Sequence, residues 1–160
     1  MVSRFVDKAF KPKFVSTIDL EYKSKTADVG EDAVRLCIRD TANPSRRRAL
    51  KSEFYEYLDA AFIVYDISDR KSYSNVPRHL EALRRETNSD ILITLIGNKS
   101  DLVGKRAVSI NEAQQFAAEN GLMFAETSAL NGSNVSSIFS AARVGKNQTK
   151  LDHPTFSMPY

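Results

Sequence analysis

Ile93-Thr94-Leu95-Ile96-Gly97-Asn98-Lys99-Ser100-Asp101 passes without a break from an apolar run into a polar loop, and its reading decides the fold. The run starts at Ile91, and Ile91–Ile96 has the composition of a parallel strand covered on both faces. Ala60–Tyr65 reads the same way, and Leu122–Ala125 reads as a shorter strand of that kind. Helical spacing appears between them. Val76, Leu80 and Leu83 line one face of Val76–Arg85, and Val135, Ile138, Phe139 and Ala142 line one face of Val135–Ala142. Ser109-Ile110-Asn111-Glu112 has capping-box spacing ahead of a helix over Ala113–Asn120, and Gly121 is placed to end it in the left-handed conformation. Upstream, Ile18–Thr26 alternates with Ile18, Leu20 and Tyr22 on one side, and Val29–Asp32 supplies a turn. Val34–Arg39 then runs back with Val34, Leu36 and Ile38 aligned, which predicts an antiparallel hairpin. A hairpin followed by strand–helix alternation predicts an open α/β sheet with ligands at the carboxyl ends of its strands.

Bulk properties set the bounds of function. A chain of 160 residues with 42% hydrophobic and 27% charged residues reads as one soluble globular domain. It contains no apolar stretch of bilayer-spanning length and no signal-peptide core at its start. The single cysteine, Cys37, excludes an intramolecular disulfide framework, fits a reducing compartment, and reads as a small core residue. Cytoplasm is the expected location. The net charge of +3 reflects Arg46-Arg47-Arg48, Arg84-Arg85 and scattered lysines with acids among them. No basic stripe with interleaved aromatics is present, so no nucleic-acid partner is expected. No G-x-G-x-x-G follows a strand, which excludes a dinucleotide oxidoreductase.

Two polar motifs follow predicted strands. In the first, the Asp101 carboxylate can accept two hydrogen bonds from a purine that presents a ring N–H beside an amino group. A charge-assisted pair of that kind discriminates strongly against a base lacking the donors. Asn98 can tie neighbouring loops together, and the aliphatic stem of Lys99 can cover the base face. The second motif is Glu126-Thr127-Ser128-Ala129, whose small residues let backbone N–H groups reach a base carbonyl.

These residues resemble the guanine-base motifs of small GTPases, and the resemblance extends over about residues 3–142. Asp40-Thr41-Ala42, Phe54-Tyr55 and Val64-Tyr65-Asp66 look like the family's magnesium and switch II segment leading into its next strand. Ser16-Thr17-Ile18 before Tyr22 looks like switch I of a Rab protein, and Ser3-Arg4-Phe5 with Phe10 looks like the end of the first helix. The resemblance implies a three-layer small-GTPase-like sheet of the P-loop NTPase kind over residues 1–143. It also implies GTP or GDP with Mg2+, slow hydrolysis, and recruitment of Rab-type effectors or regulators in vesicle traffic. Carried over residue by residue, nucleotide contacts fall on Asn98, Lys99, Asp101, Ser128, Ala129 and Leu130. Metal contacts fall on Thr17 and Asp40, and an effector surface on Ile18, Tyr22, Arg39 and Tyr55.

The sequence also departs from that pattern. G-x-x-x-x-G-K-[ST], the loop whose amides and lysine hold phosphates, occurs nowhere in it. Asn43-Pro44 stands where the family has a glycine and a water-orienting glutamine. Pro44 has no amide, and it disfavours the α conformation at Asn43. Hydrolysis is therefore expected to be impaired, with no residue assigned a catalytic role. Arg39 replaces an aromatic effector contact, and no C-terminal cysteine offers a prenyl anchor or stable membrane attachment. The family's first strand, which lies between those here at Val34–Arg39 and Ala60–Tyr65, is expected to be missing. Such a strand buries about four large side chains, on the order of 6–12 kcal/mol in total. Residues 144–160 carry prolines and no periodicity and are expected to form a disordered tail. These features fit a chain shortened at both ends. Two functions compete: a guanine-nucleotide switch with weakened hydrolysis, and a nucleotide-independent pseudo-GTPase, binding no cofactor, that titrates Rab effectors or regulators.

Overall fold

A computed structural model describes residues 1–10, 21–29, 32–41, 55, 58–87, 91–144 and 155–158. β1 (Glu21–Val29) and β2 (Asp32–Asp40) form the expected antiparallel hairpin, with Tyr22 opposite Arg39 and Val29 opposite Asp32. Ile18 and Leu20, expected at its start, lie outside the described residues. β3 (Ala60–Asp66), β4 (Leu92–Asn98) and β5 (Met123–Glu126) pair in parallel, each with the next. β3 and β4 are buried along most of their length, as their unbroken apolar composition predicts. β5 differs from that reading. It is the edge strand, and Met123 is exposed.

The larger departure is β6 (Thr155–Met158), a strand in the segment expected to be disordered. Among the described residues the sheet order is β1-β2-β6-β3-β4-β5, so β6 occupies the central position expected to be empty. It runs parallel to both neighbours. Cys37–Asp40 of β2 pair with Thr155–Met158, and Ala60 and Ala61 of β3 pair with Phe156 and Ser157. The physical reason is the demand of the ladder. Without a strand between them, β2 and β3 would each turn a row of backbone N–H and C=O groups toward a gap inside the sheet. Four residues between Pro154 and Pro159 are too few to show a period, which is why the pattern of the tail gave no sign of a strand.

Each face of the sheet carries its own core. On one face, α1 (Val2–Asp7) and α5 (Val135–Val144) place Phe5, Ile138 and Phe139 against Leu36, Ile38 and Phe62. On the other, α3 (Val76–Glu86) and α4 (Ile110–Glu119) cover Ile63, Tyr65 and Leu95 with Leu80, Leu83 and Ala113. A short α2 (Arg70–Ser74) leads into α3, capped by Asp69, whose carboxylate accepts from the Lys71 amide at 2.9 Å. The predicted cap of α4 forms as expected. Ser109 Oγ accepts from the Glu112 amide at 3.1 Å, and Gly121 follows the helix at φ 63°.

Cys37 alternates away from the Leu36/Ile38 face and is half-buried, so it is not the enclosed core residue expected of it. Gly97, by contrast, is forced by packing. A Cβ there would lie 2.8 Å from Tyr65 Oη and 3.0 Å from Ile67 Cγ2, which brings β4 against β3 just before the Asn98 loop. Among the described residues, no helix is long and apolar enough to cross a membrane.

His79 is buried on α3 beside Leu80, and burial, aided by the charge of Arg78, holds its pKa below 6.5. Below that value the unfolded chain binds a proton that the native imidazole resists, so stability falls as pH drops from about 6.5 toward the folded pKa. His79→Gln is expected to flatten this acid limb. Urea midpoints across that range check it, and an unchanged slope would contradict the burial argument.

Candidate nucleotide site

β3, β4, β5 and β6 all run in one direction, so their carboxyl ends share one edge of the sheet. Asp66, Asn98 and Glu126 end β3, β4 and β5 there, and Asp40 ends β2 opposite Met158. This is where a parallel sheet keeps its ligands.

Asn98 performs the tying role read from the sequence. Its Oδ1 accepts from the Ala129 amide at 3.2 Å and from Thr127 Oγ1 at 3.3 Å, joining the end of β4 to the loop after β5. The backbone strengthens the same junction: Thr127 N donates to Gly97 O at 2.9 Å, and Ser100 N to Thr127 O at 3.0 Å. Asn98→Ala would leave a buried hydroxyl and amide short of an acceptor. Its expected cost is about 1–3 kcal/mol. Chemical denaturation should show a lower midpoint, and full wild-type stability would mean that the junction carries no weight.

Asp101 is half-buried, and its Oδ1 accepts from Ser128 Oγ, a hydroxyl with no exposure to solvent. That hydroxyl also accepts from the Asn131 amide at 3.2 Å. The carboxylate is thus held in orientation by a buried partner. Thr127 and Ser128 are fully buried, and Leu130 is exposed at the lip. The backbone amides expected to reach a base carbonyl have acceptors within the protein. The Ser128 amide donates to Ser133 O at 3.0 Å and the Ala129 amide to Asn98 Oδ1, so both are already engaged within the protein.

Lys99 takes the left-handed conformation, φ 63°, which costs a residue with a side chain about 1 kcal/mol or more. Its ammonium pairs with Asp66 Oδ2 at 2.5 Å, fastening the loop to the end of β3. Asp66 also accepts from the Ser68 amide at 2.8 Å and the Ser68 hydroxyl at 2.6 Å. Burial disfavours the Asp66 carboxylate, but Lys99 and Ser68 together outweigh it and hold its pKa below the ordinary 3.8.

Several supporting residues had no motif to announce them. Arg106 grips Glu126 through two bonds of 2.6 and 2.8 Å, securing the end of β5. Arg4 of α1 donates to the carbonyls of Ala129, at 2.8 Å, and of Leu130. Asn134 Nδ2 donates to Glu126 O at 2.9 Å. Arg4 lies far from its partners in sequence, so no local spacing could reveal the contact. Asp66 did carry a signal, as an acid at the end of an apolar strand.

The remaining expected positions divide. Thr17 and Ile18 lie outside the described residues. Asp40 is buried, and among the described residues no group of three or more His, Cys, Asp or Glu side chains is arranged to hold a metal ion. Arg39 lies over the ring of Tyr22 at 6.0 Å, a cation–π contact between cross-strand partners, with the tyrosine well exposed. Tyr55 is half-buried against the Ile63/Leu80 core.

The loop that the resemblance assigns to a guanine base holds the Asp101 carboxylate, an acceptor oriented by Ser128, and is fastened by Asn98 and by the Lys99–Asp66 pair. A parallel sheet flanked by helices, with polar loops joined at the ends of two adjacent strands, defines an open α/β domain of the kind that keeps ligands at its strand ends. The Ras family pattern matches residues 1–146, and the chain belongs to the Ras family. Within it, the chain is similar to Rab proteins. It is 41% identical over 140 residues to Ras-related protein RABA4a of Arabidopsis thaliana, covering 88% of this chain and 62% of that one. It is 43% identical over 139 residues to GTP-binding protein ypt3 of Schizosaccharomyces pombe, covering 87% and 65%. With Ras-related protein Rab11A of Lotus japonicus it shares 41% over 139 residues, covering 87% and 62%. The chain therefore spans less than two thirds of the length of these relatives.

Proposed function

We propose that this chain is a Rab-like regulator of vesicle traffic in the cytoplasm that reads guanine nucleotides through the base and hydrolyses GTP poorly or not at all. The observation that carries this reading is the Asp101 carboxylate, oriented by the buried Ser128 hydroxyl in a loop that Asn98 fastens to the loop after β5. A preset acceptor saves the ordering cost that a free carboxylate would meet on binding. Poor hydrolysis rests on Asn43-Pro44, because a proline offers neither an amide nor a side-chain group to orient water. GTP and Mg2+ belong to this reading as ligands, and Rab-type effectors or regulators as partners.

The Arg39–Tyr22 pair favours a second reading alongside it. A cation stacked on the exposed tyrosine alters a surface that Rab resemblance assigns to effectors. That change suits a module that engages a narrower set of regulators independently of nucleotide. Titration of the purified chain with fluorescent GDP and GTP at millimolar Mg2+ separates the two. Saturable binding supports guanine reading. Absence of binding by a chain that still unfolds cooperatively in circular dichroism would overturn it in favour of the nucleotide-independent module.

A further inference from the structure

The centre of the sheet holds its least conventional element. β6 is reached from the last helix, after residues 145–154, and enters between β2 and β3. β3 and β4 pair along their whole lengths, Ala60–Asp66 on Leu92–Asn98. The pairing of β6 is much shorter, covering Cys37–Asp40 on one side and only Ala60–Ala61 on the other. Pro154 and Pro159 bound the segment, and neither can donate to a ladder, so the pairing cannot lengthen without changing character. The strands on either side are firmly built. Leu36 and Ile38 of β2 and Ala60 and Phe62 of β3 are buried beneath α1 and α5, and Ala61 and Ile63 of β3 beneath the other layer. The result is a firm two-sided recess whose backbone groups need an extended partner, met by a short insert.

We propose that the position between β2 and β3 is a strand-accepting slot, and that Thr155–Met158 is an exchangeable donor strand, so that the chain carries its own peptide ligand for a parallel β-augmentation site. Main-chain pairing supplies the affinity of such a site, and alternate side chains supply its selectivity. The sequence of the insert begins with a β-branched and an aromatic residue, Thr155 and Phe156, the types enriched in strands. The insert ends opposite Asp40, so its release would loosen the same sheet edge that bears the nucleotide loops.

Cys37, the only cysteine of the sequence, stands opposite Thr155 in the β2·β6 register and supplies the probe. Neighbouring strands lie about 4.8 Å apart, within the span a disulfide bridges. In the full chain, Thr155→Cys is expected to form an intramolecular disulfide on mild oxidation, read as faster migration without reductant and a mass lower by two hydrogens. Ser157→Cys, displaced by two residues from Cys37, should bridge about tenfold less efficiently, because its Cα falls beyond the usual reach. Equal yields from the two variants, or a disulfide only between chains, would overturn the assignment of this segment to the slot. Exchange is read separately, using the unmodified, reduced chain and a synthetic Asp152–Tyr160 peptide carrying Thr155→Cys as its mixed disulfide with thiopyridine, so that the Cys37 thiolate attacks the peptide sulfur and thiopyridone leaves. Capture of Cys37 should proceed about tenfold faster than with a scrambled peptide. Equal rates would overturn exchangeability.

Discussion

Phe139→Ala is expected to remove about 3–5 kcal/mol of folding stability, the largest loss from a single truncation in this core. Phe139 is fully buried on α5 and stacks on Phe5 of α1, with ring centroids 4.0 Å apart and an interplanar angle of 11°. It also meets Phe62 of β3 edge-on at 5.2 Å and 73°. One side chain thus joins two helices to the sheet, and the rigid sheet cannot collapse into the space that truncation leaves. Against a typical domain stability of about 5–15 kcal/mol, such a loss brings the chain close to unfolding at physiological temperature. Phe139→Leu keeps most of the volume and should cost less than half as much. Urea denaturation of both variants checks the pair. A loss below about 1 kcal/mol for alanine would mean that α5 is not held through this ring.

Asp101→Asn is expected to weaken GDP binding by about a hundredfold to ten-thousandfold, corresponding to two charge-assisted bonds of about 1.5–3 kcal/mol each. The carboxylate can accept from both the ring N–H and the amino group of guanine. The amide places one acceptor and one donor there, so a donor meets a donor. The same exchange should improve binding of xanthosine diphosphate, which has a carbonyl in place of the amino group. Reversal of preference distinguishes lost recognition from lost folding, since a disrupted loop would weaken both ligands. Parallel titrations with the two diphosphates measure it. Equal weakening would assign Asp101 a structural role through Ser128 instead.

The parts of this fold that could be read from sequence are those whose information is local and repeated. Ala60–Tyr65 and Ile91–Ile96 advertise buried parallel strands by unbroken apolar character, and the structure pairs them residue for residue along β3 and β4. Ser109 and Glu112 announce a cap by spacing alone, and Val76, Leu80 and Leu83 announce the buried face of α3. The polar loop after β4 was legible for the same reason, since four consecutive residues bring Asn98 and Asp101 to one strand end. What stayed hidden depends on distant partners. Arg4 reaches the carbonyls of Ala129 and Leu130 across most of the chain. The engagement of the Ala129 amide by Asn98 appears only when two strand ends meet. β6 is the extreme case, because nothing within Thr155–Met158 outweighs its flanking prolines until the open ladders of β2 and β3 are set on either side.

The central claim is that Asp101 reads the amino group of guanine, and GDP against inosine diphosphate tests it most directly. The two ligands share phosphates, sugar and ring N–H, and differ only in the amino group that the carboxylate would accept from. Calorimetric titration of the unmodified chain at millimolar Mg2+ should give inosine diphosphate a Kd about tenfold to a hundredfold weaker than that of GDP. Equal affinity for the two, or no saturable binding of either by the folded chain, would contradict the account.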